Sequence, residues 1–151
     1  MKLIRKIGLV SAVVLSLYGF TGNSVAAVCN QTRYGQQLLC NINQLRTSST
    51  RLKLNSRLNT AAQQLANNMA AADELDTESS YINLIRNTGY PFTGVAVTMG
   101  SGHNTAEEVF QSWQTSNLAT LKATRFIDAG FGRAKAKNGT IYWAGMYGTT
   151  K

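Results

Sequence analysis

Few side chains in this protein can move a proton, hold a metal or attack a carbonyl. The chain has a single histidine, His103, two cysteines, Cys29 and Cys40, and seven acidic residues against 15 Lys and Arg. His103 lies in G-S-G-H-N-T, and five residues later Glu108 follows in T-A-E-E-V-F-Q-S-W. A zinc site that catalyses or binds tightly needs about three protein ligands; His103 and Glu108 make only a pair. A serine or threonine nucleophile would have His103 as its sole candidate base. Thr105 and Glu108 also fit the Thr-x-x-Glu capping box that satisfies backbone N–H groups at a helix start, and this role is preferred for Glu108 over one in a cleft. His103, flanked by glycine, is expected to be a solvent-exposed polar residue rather than a general base. G-S-G-H-N-T lacks the lysine and spacing of a P-loop, which sets nucleotide hydrolysis aside. No cofactor is expected.

The two cysteines stand eleven apart. On a helix, Leu38, Leu39, Ile42 and Leu45 share one side and Cys40 faces the other, where a returning segment bearing Cys29 can reach it. A structural disulfide is the expectation; a metal or redox pair would want closer spacing and more ligands. Arg133, Lys135 and Lys137 alternate with alanine and would align on one strand face. That face is either simply solvated or able to meet anionic polymers and lipid headgroups.

The elements that must position these residues begin after residues 1–27. Lys2, Arg5 and Lys6, an apolar run from Ile7 to Phe20, and the small residues Ser24 to Ala27 read as a secretory signal. The apolar run is too short for a membrane span, and Val28 before Cys29 disfavours an acyl anchor. Residues 28–151 are then one domain with enough chain for a single core. Their 12 basic and seven acidic residues give a net charge of +5. Export and a lack of exposed aromatic platforms exclude nucleic acid as a partner.

A helix is expected over 34–46 and an extended Leu52–Leu54 after it. Asn55 then caps a second helix with a stripe of Leu58, Ala61, Ala62, Leu65, Ala66, Met69 and Ala72, whose alanines suit close packing on a sheet. Asp73, Glu74, Asp76 and Glu78 read as a solvated loop. Ser79 or Ser80 can cap a short third helix, Val95 to Met99 reads as a strand, and a fourth helix starts at Thr105. Asn138-Gly139 between two β-prone runs predicts a two-residue type I′ hairpin, pairing Lys135 with Tyr142 and Ala134 with Trp143. Helices first and an antiparallel hairpin last indicate an α+β domain, with Gly130, Gly132 and Gly145 spared side chains by helices on both faces.

Three stretches, L-K-L-N-S-R-L-N-T-A-A-Q-Q-L-A-N-N-M-A-A at 52–71, A-E-E-V-F-Q-S-W at 106–113 and I-D-A-G-F-G-R-A-K-A-K-N-G-T-I-Y-W-A-G-M-Y-G at 127–148, resemble a bacterial member of the CAP superfamily (cysteine-rich secretory, antigen 5 and pathogenesis-related 1). The resemblance implies a three-layer α-β-α sandwich with a small, mainly antiparallel sheet. It also implies a cleft set of two histidines and two glutamates that binds a divalent metal in some members. Of these positions only Glu108 is kept. The first histidine falls near Thr77, the first glutamate on Val95, and no histidine follows Trp113.

The expected function is therefore a secreted, monomeric, non-catalytic binding module. Its partner would be a lipid, an anionic envelope polymer or another secreted protein, met through the cleft or the basic strand. The alternative is a residual metal-dependent or acid/base hydrolase using Glu108 and His103.

Overall fold

The computed structural model describes residues 29–76 and 81–151. The proposed signal segment, Thr77, Glu78 and the candidate caps Ser79 and Ser80 lie outside the described residues.

Helix α1 (Tyr34–Gln44) buries Leu38, Asn41 and Ile42. After a 3₁₀ turn, the two-residue strand β1 (Lys53–Leu54) leads into α2 (Ser56–Ala72). The Asn55 side chain accepts from the N–H groups of Arg57 and Leu58, and Leu58, Ala61, Ala62, Leu65, Ala66 and Met69 are buried as the spacing predicts. Ala72, expected in that stripe, is exposed, because the helix ends there at Asp73 in a left-handed conformation. Then follow α3 (Tyr81–Asn87), β2 (Phe92–Ser101), α4 (Ala106–Ser116), the short α5 (Leu118–Lys122), which the sequence did not suggest, β3 (Asp128–Lys135) and β4 (Ile141–Thr150).

The four strands form one sheet in the order β1-β3-β4-β2. β1 joins β3 in parallel, and the other pairings are antiparallel. Helices cover both faces, which makes the α-β-α sandwich. Leu38, Ile42, Val109, Phe110, Trp113, Phe131, Trp143 and Tyr147 fill the layer under α1 and α4. Leu58, Ala62, Leu65, Ala66, Met69, Ile85, Tyr142, Ala144 and Met146 fill the layer under α2 and α3. A Cβ on Gly130 would stand 2.6 Å from Leu58 Cβ and closer still to the Leu58 carbonyl carbon and Asn59 N; one on Gly132 would strike the backbone of Ala62 and Gln63. These glycines let the backbone of α2 lie directly on β3.

The hairpin corrects the expected register. Arg133 pairs with Trp143, Ala134 with Tyr142 and Lys135 with Ile141. The Ala136 N–H donates to Thr140 O (2.8 Å) and the Gly139 N–H to Ala136 O (3.0 Å), so three residues rather than two make the loop. A type I′ turn needs positive φ at both central residues; here only Gly139 has it, at 94°. Asn138 acts through its side chain, accepting from Thr140 N at 2.9 Å and donating to Asp73. Slipping by one residue exchanges the faces of a partner strand. Tyr142 therefore joins the alanine face, where its hydroxyl donates to Asp73 Oδ1 (3.0 Å), and Trp143 stands beside the basic row. Asp73, expected in a solvated loop, ties α2 to the hairpin.

Arg46, just beyond α1, also has a role that the sequence did not suggest. It is 9% exposed and donates to four backbone carbonyls, those of Thr50 (2.6 Å), Leu121 (2.8 Å), Ala123 (3.0 Å) and Phe126 (2.8 Å). It closes the turn after α1 onto the segment that links α4 to β3.

Candidate functional site

Thr105 caps α4, its hydroxyl accepting from Glu108 N at 3.2 Å. The Glu108 carboxylate reaches back to Asn104 N (2.7 Å), one residue before the N–H that a capping box would use. The neighbouring Glu107, not singled out from sequence, accepts from the buried Asn41 amide at 2.8 Å and so links α4 to α1. The His103 carbonyl accepts from Trp143 Nε1 (2.8 Å). Its ring lies at β2, with Cδ2 3.4 Å from the place a Cβ on Gly100 would take. No hydrogen bond joins His103 to Glu108. Among the described residues no three His, Cys, Asp or Glu side chains are grouped to hold a metal ion, so the donors near His103 do not fit the divalent site of the resemblance.

Val95 packs in the layer under α2 and α3, and its neighbour Ala96 packs in the layer of α4. Strand alternation thus puts Val95 on the opposite side of the sheet from the α4 start that carries Glu108 and His103. The structure brings Glu108 and His103 near one another and leaves Val95 apart.

Two open cavities lie elsewhere. One, about 590 Å³, runs between α2 and α3 and is lined by Ser56, Arg57, Thr60, Ala61, Gln64, Asn68, Leu84, Asn87 and Thr88. The larger, about 840 Å³, lies where the chain enters α1 and passes α2 and the outer edge of β3. Its lining is Thr32, Arg33, Tyr34, Gly35, Gln36, Leu54, Asn59, Thr60, Gln63, Gln64, Asn67 and Phe131. Glu108 and His103 line neither.

The larger groove follows from the sheet topology. β1 pairs with β3 only at Asp128 and Ala129, so the outer edge of β3 beyond them has no strand partner among the described residues. Side chains of α2 take that place. Asn59 Oδ1 accepts from Phe131 N (3.0 Å), and Gln63 accepts from Arg133 N (3.3 Å) while donating to Arg133 O (2.8 Å). Gln63 also accepts from the Tyr34 hydroxyl (3.0 Å) and donates to Asn67 Oδ1 (2.9 Å), so its amide is held in one orientation. Burial holds the Tyr34 phenol above its ordinary range, partly offset by nearby Arg133. The Tyr34 and Trp143 rings meet edge to face at 5.7 Å, and the Arg133 guanidinium lies over Trp143 at 5.2 Å.

The Cys29–Cys40 disulfide, with Cα atoms 5.7 Å apart, pins the segment carrying Thr32 and Arg33 to α1 and so builds one lip of the groove. Arg133, Lys135 and Lys137 are all exposed. Arg133 stands at the rim beside Tyr34, whereas Lys137 sits in the hairpin loop next to Asn138. The signal for the groove was present in sequence as Asn59, Gln63 and Asn67, spaced four apart on the polar side of an alanine-rich helix. Such a row is also what a solvated helix face looks like, and only the missing strand partner of β3 separates the two.

Residues 27–147 match the model of the CAP family, described as the cysteine-rich secretory protein family. No curated protein matches the chain in sequence. Among solved structures, an outer surface protein of Borrelia burgdorferi superposes with a TM-score of 0.60 at 17% identity, covering 66% of this chain and 78% of that one. An extracellular protein of Bacillus anthracis containing an SCP domain gives 0.66 at 13%, covering 78% of this chain and 40% of that one. Venom allergen-like protein 4 of Schistosoma mansoni gives 0.60 at 13%, covering 80% and 91%. At these identities the likeness is one of fold. Among the described residues no helix is long and apolar enough to cross a membrane. A disulfide is characteristic of compartments outside the reducing cytoplasm, in keeping with a family of secreted proteins.

Proposed function

The chain belongs to the cysteine-rich secretory protein family, and on that premise we propose that it is a non-catalytic binding domain acting outside the cytoplasm. The observation that carries this reading is the lining of the two cavities described above, which among the described residues contains no His, Cys, Asp or Glu. General acid–base catalysis needs a group that titrates near the working pH within hydrogen-bond reach of the reacting atom. The cavities offer amides and hydroxyls, which do not titrate there, and arginine, which stays protonated. Such groups hold and orient a ligand without transferring its protons. The alternative hydrolase would rely on Glu108 and His103, which line neither of these cavities, and the Glu108 carboxylate is taken up by the helix start at Asn104 N. Arg33 in the lining of the larger groove and Arg133 at its rim favour an anionic envelope component as the ligand.

Zinc titration of the exported chain by calorimetry tests this reading. Wild type and His103→Ala are expected to behave alike, with no stoichiometric uptake. Tight one-to-one zinc binding abolished by His103→Ala would overturn it.

A further inference from the structure

We propose that the groove at the outer edge of β3 binds an acidic saccharide, a chain of sugars bearing carboxylates; this narrows the ligand and rests on the binding-domain reading above. Apart from Gly35, Leu54 and Phe131, every residue lining the groove carries a hydrogen-bonding side chain. An acyl chain placed there would strip water from the groups without protein partners among the described residues, the Asn59 and Asn67 Nδ2 and the Arg33 guanidinium, without replacing it, which costs free energy at each. A polyhydroxylated ligand replaces the water bond for bond.

Along the β3 side of the groove and at Arg33 the groups left over are donors, while Gln64 and Thr60, whose donors are used by Asn68 and Ser56, keep acceptors on the α2 side. Gln63 is saturated by Tyr34, Asn67 and Arg133. Asn59 and Asn67 are engaged through their carbonyl oxygens, which leaves both Nδ2 groups for a ligand. The Arg33 guanidinium contacts no acceptor among the described residues, and no carboxylate lines the groove. Arg133 adds positive charge at the rim. A surplus of donors with net positive charge calls for a ligand rich in acceptors and negative in charge. Hydroxyl and carboxylate oxygens along a uronate chain supply both, and Tyr34, fixed by its hydroxyl, offers an aromatic surface suited to sugar C–H groups. Gln63 is locked to the β3 backbone, so the lining is preorganised and little ordering entropy is lost on binding.

The test is calorimetric titration of the exported chain with a galacturonate tetramer, run beside a neutral galactose tetramer, polyglutamate and vesicles containing anionic phospholipid. The uronate should bind best, with affinity falling as salt rises. Arg33→Ala should weaken it about tenfold, as loss of a charge-assisted hydrogen bond does. Asn67→Ala should weaken it severalfold, and Lys137→Ala should leave it unchanged. Equal binding of polyglutamate or of the vesicles would overturn the proposal, as would a Lys137→Ala loss matching that of Arg33→Ala. So would indifference to both Arg33→Ala and Asn67→Ala in variants whose melting is unchanged. Chromatography of the tetramer after incubation separates the two readings: shortened products would overturn the non-catalytic reading and leave the groove's specificity standing.

Discussion

Replacing Gly130 by alanine tests how α2 is seated on the sheet. The added Cβ would lie 2.6 Å from Leu58 Cβ and nearer still to backbone atoms of Leu58 and Asn59. Non-bonded carbons rest at about 3.5–4.0 Å, so α2 and β3 must separate by about 1 Å or more. The obstructing atoms include backbone, so no rotamer change relieves the clash. Separation on that scale takes the Asn59 Oδ1 bond to Phe131 N, now 3.0 Å, out of range. The Gln63 bonds to Arg133, at 2.8 and 3.3 Å, lengthen with it. Overpacking costs about 1–3 kcal/mol, and the one lost hydrogen bond together with the two weakened ones adds about 2 kcal/mol, for a total of about 3–5 kcal/mol. In urea, where small domains lose about 1–3 kcal/mol per molar, the midpoint should fall by about 2 M. Gly89→Ala is the control: Gly89 has φ 73° with nothing within 4 Å of an added Cβ, so only left-handed strain of about 1–2 kcal/mol applies. A Gly130→Ala midpoint no lower than that of Gly89→Ala would refute the reasoning. Gly130→Ala with Gly132→Ala should cost less than the sum of the two, since one outward shift of α2 relieves both.

Arg46→Met should cost about 3–5 kcal/mol by leaving buried carbonyls of Leu121 and Phe126 without donors; a thermal-melt loss below about 1 kcal/mol would contradict this. The buried Tyr147 hydroxyl, bonded to Thr98 at 3.1 Å, is held above the ordinary tyrosine value of 10.0 by desolvation, against opposing effects of Thr98 and Arg46. Above pH 10 the unfolded chain therefore loses this proton before the folded one does, and stability falls as pH rises. Tyr147→Phe should make that alkaline decline shallower in urea midpoints measured from pH 8 to 11, leaving the part due to Tyr90, whose hydroxyl is likewise held above the ordinary value by burial and Asp128. Glu108→Gln should lower stability by no more than about 1 kcal/mol, the scale of a helix-terminal charge. A greater loss at neutral pH would show that the carboxylate has a further partner.

Much of the frame was legible because it depends on neighbours along the chain. The Asn55 and Thr105 caps and the Leu58-to-Met69 stripe each follow from groups a few residues apart, whereas the glycines of β3 are legible as residue types but are spared by α2, which lies far from them in sequence. The hairpin register was misread because Asn138-Gly139 is compatible with two loops. The choice falls to Asp73, 69 residues before Tyr142, which draws Tyr142 to the α2 side. Glu108 could be read as a capping residue, but its acceptance from Asn104 rather than Thr105 could not. The placement of Val95 depended on which face of β2 meets α4.

Composition alone established a basic chain poor in imidazole and carboxylate, and periodicity established helices laid on a sheet. These are properties of the covalent order and of local backbone preference, so they survive without any knowledge of distant contacts. The groove belongs to tertiary structure. It exists because β1 stops after two residues, α2 side chains complete the exposed edge of β3, and a disulfide holds Arg33 at its lip, three events that meet only when the chain has folded.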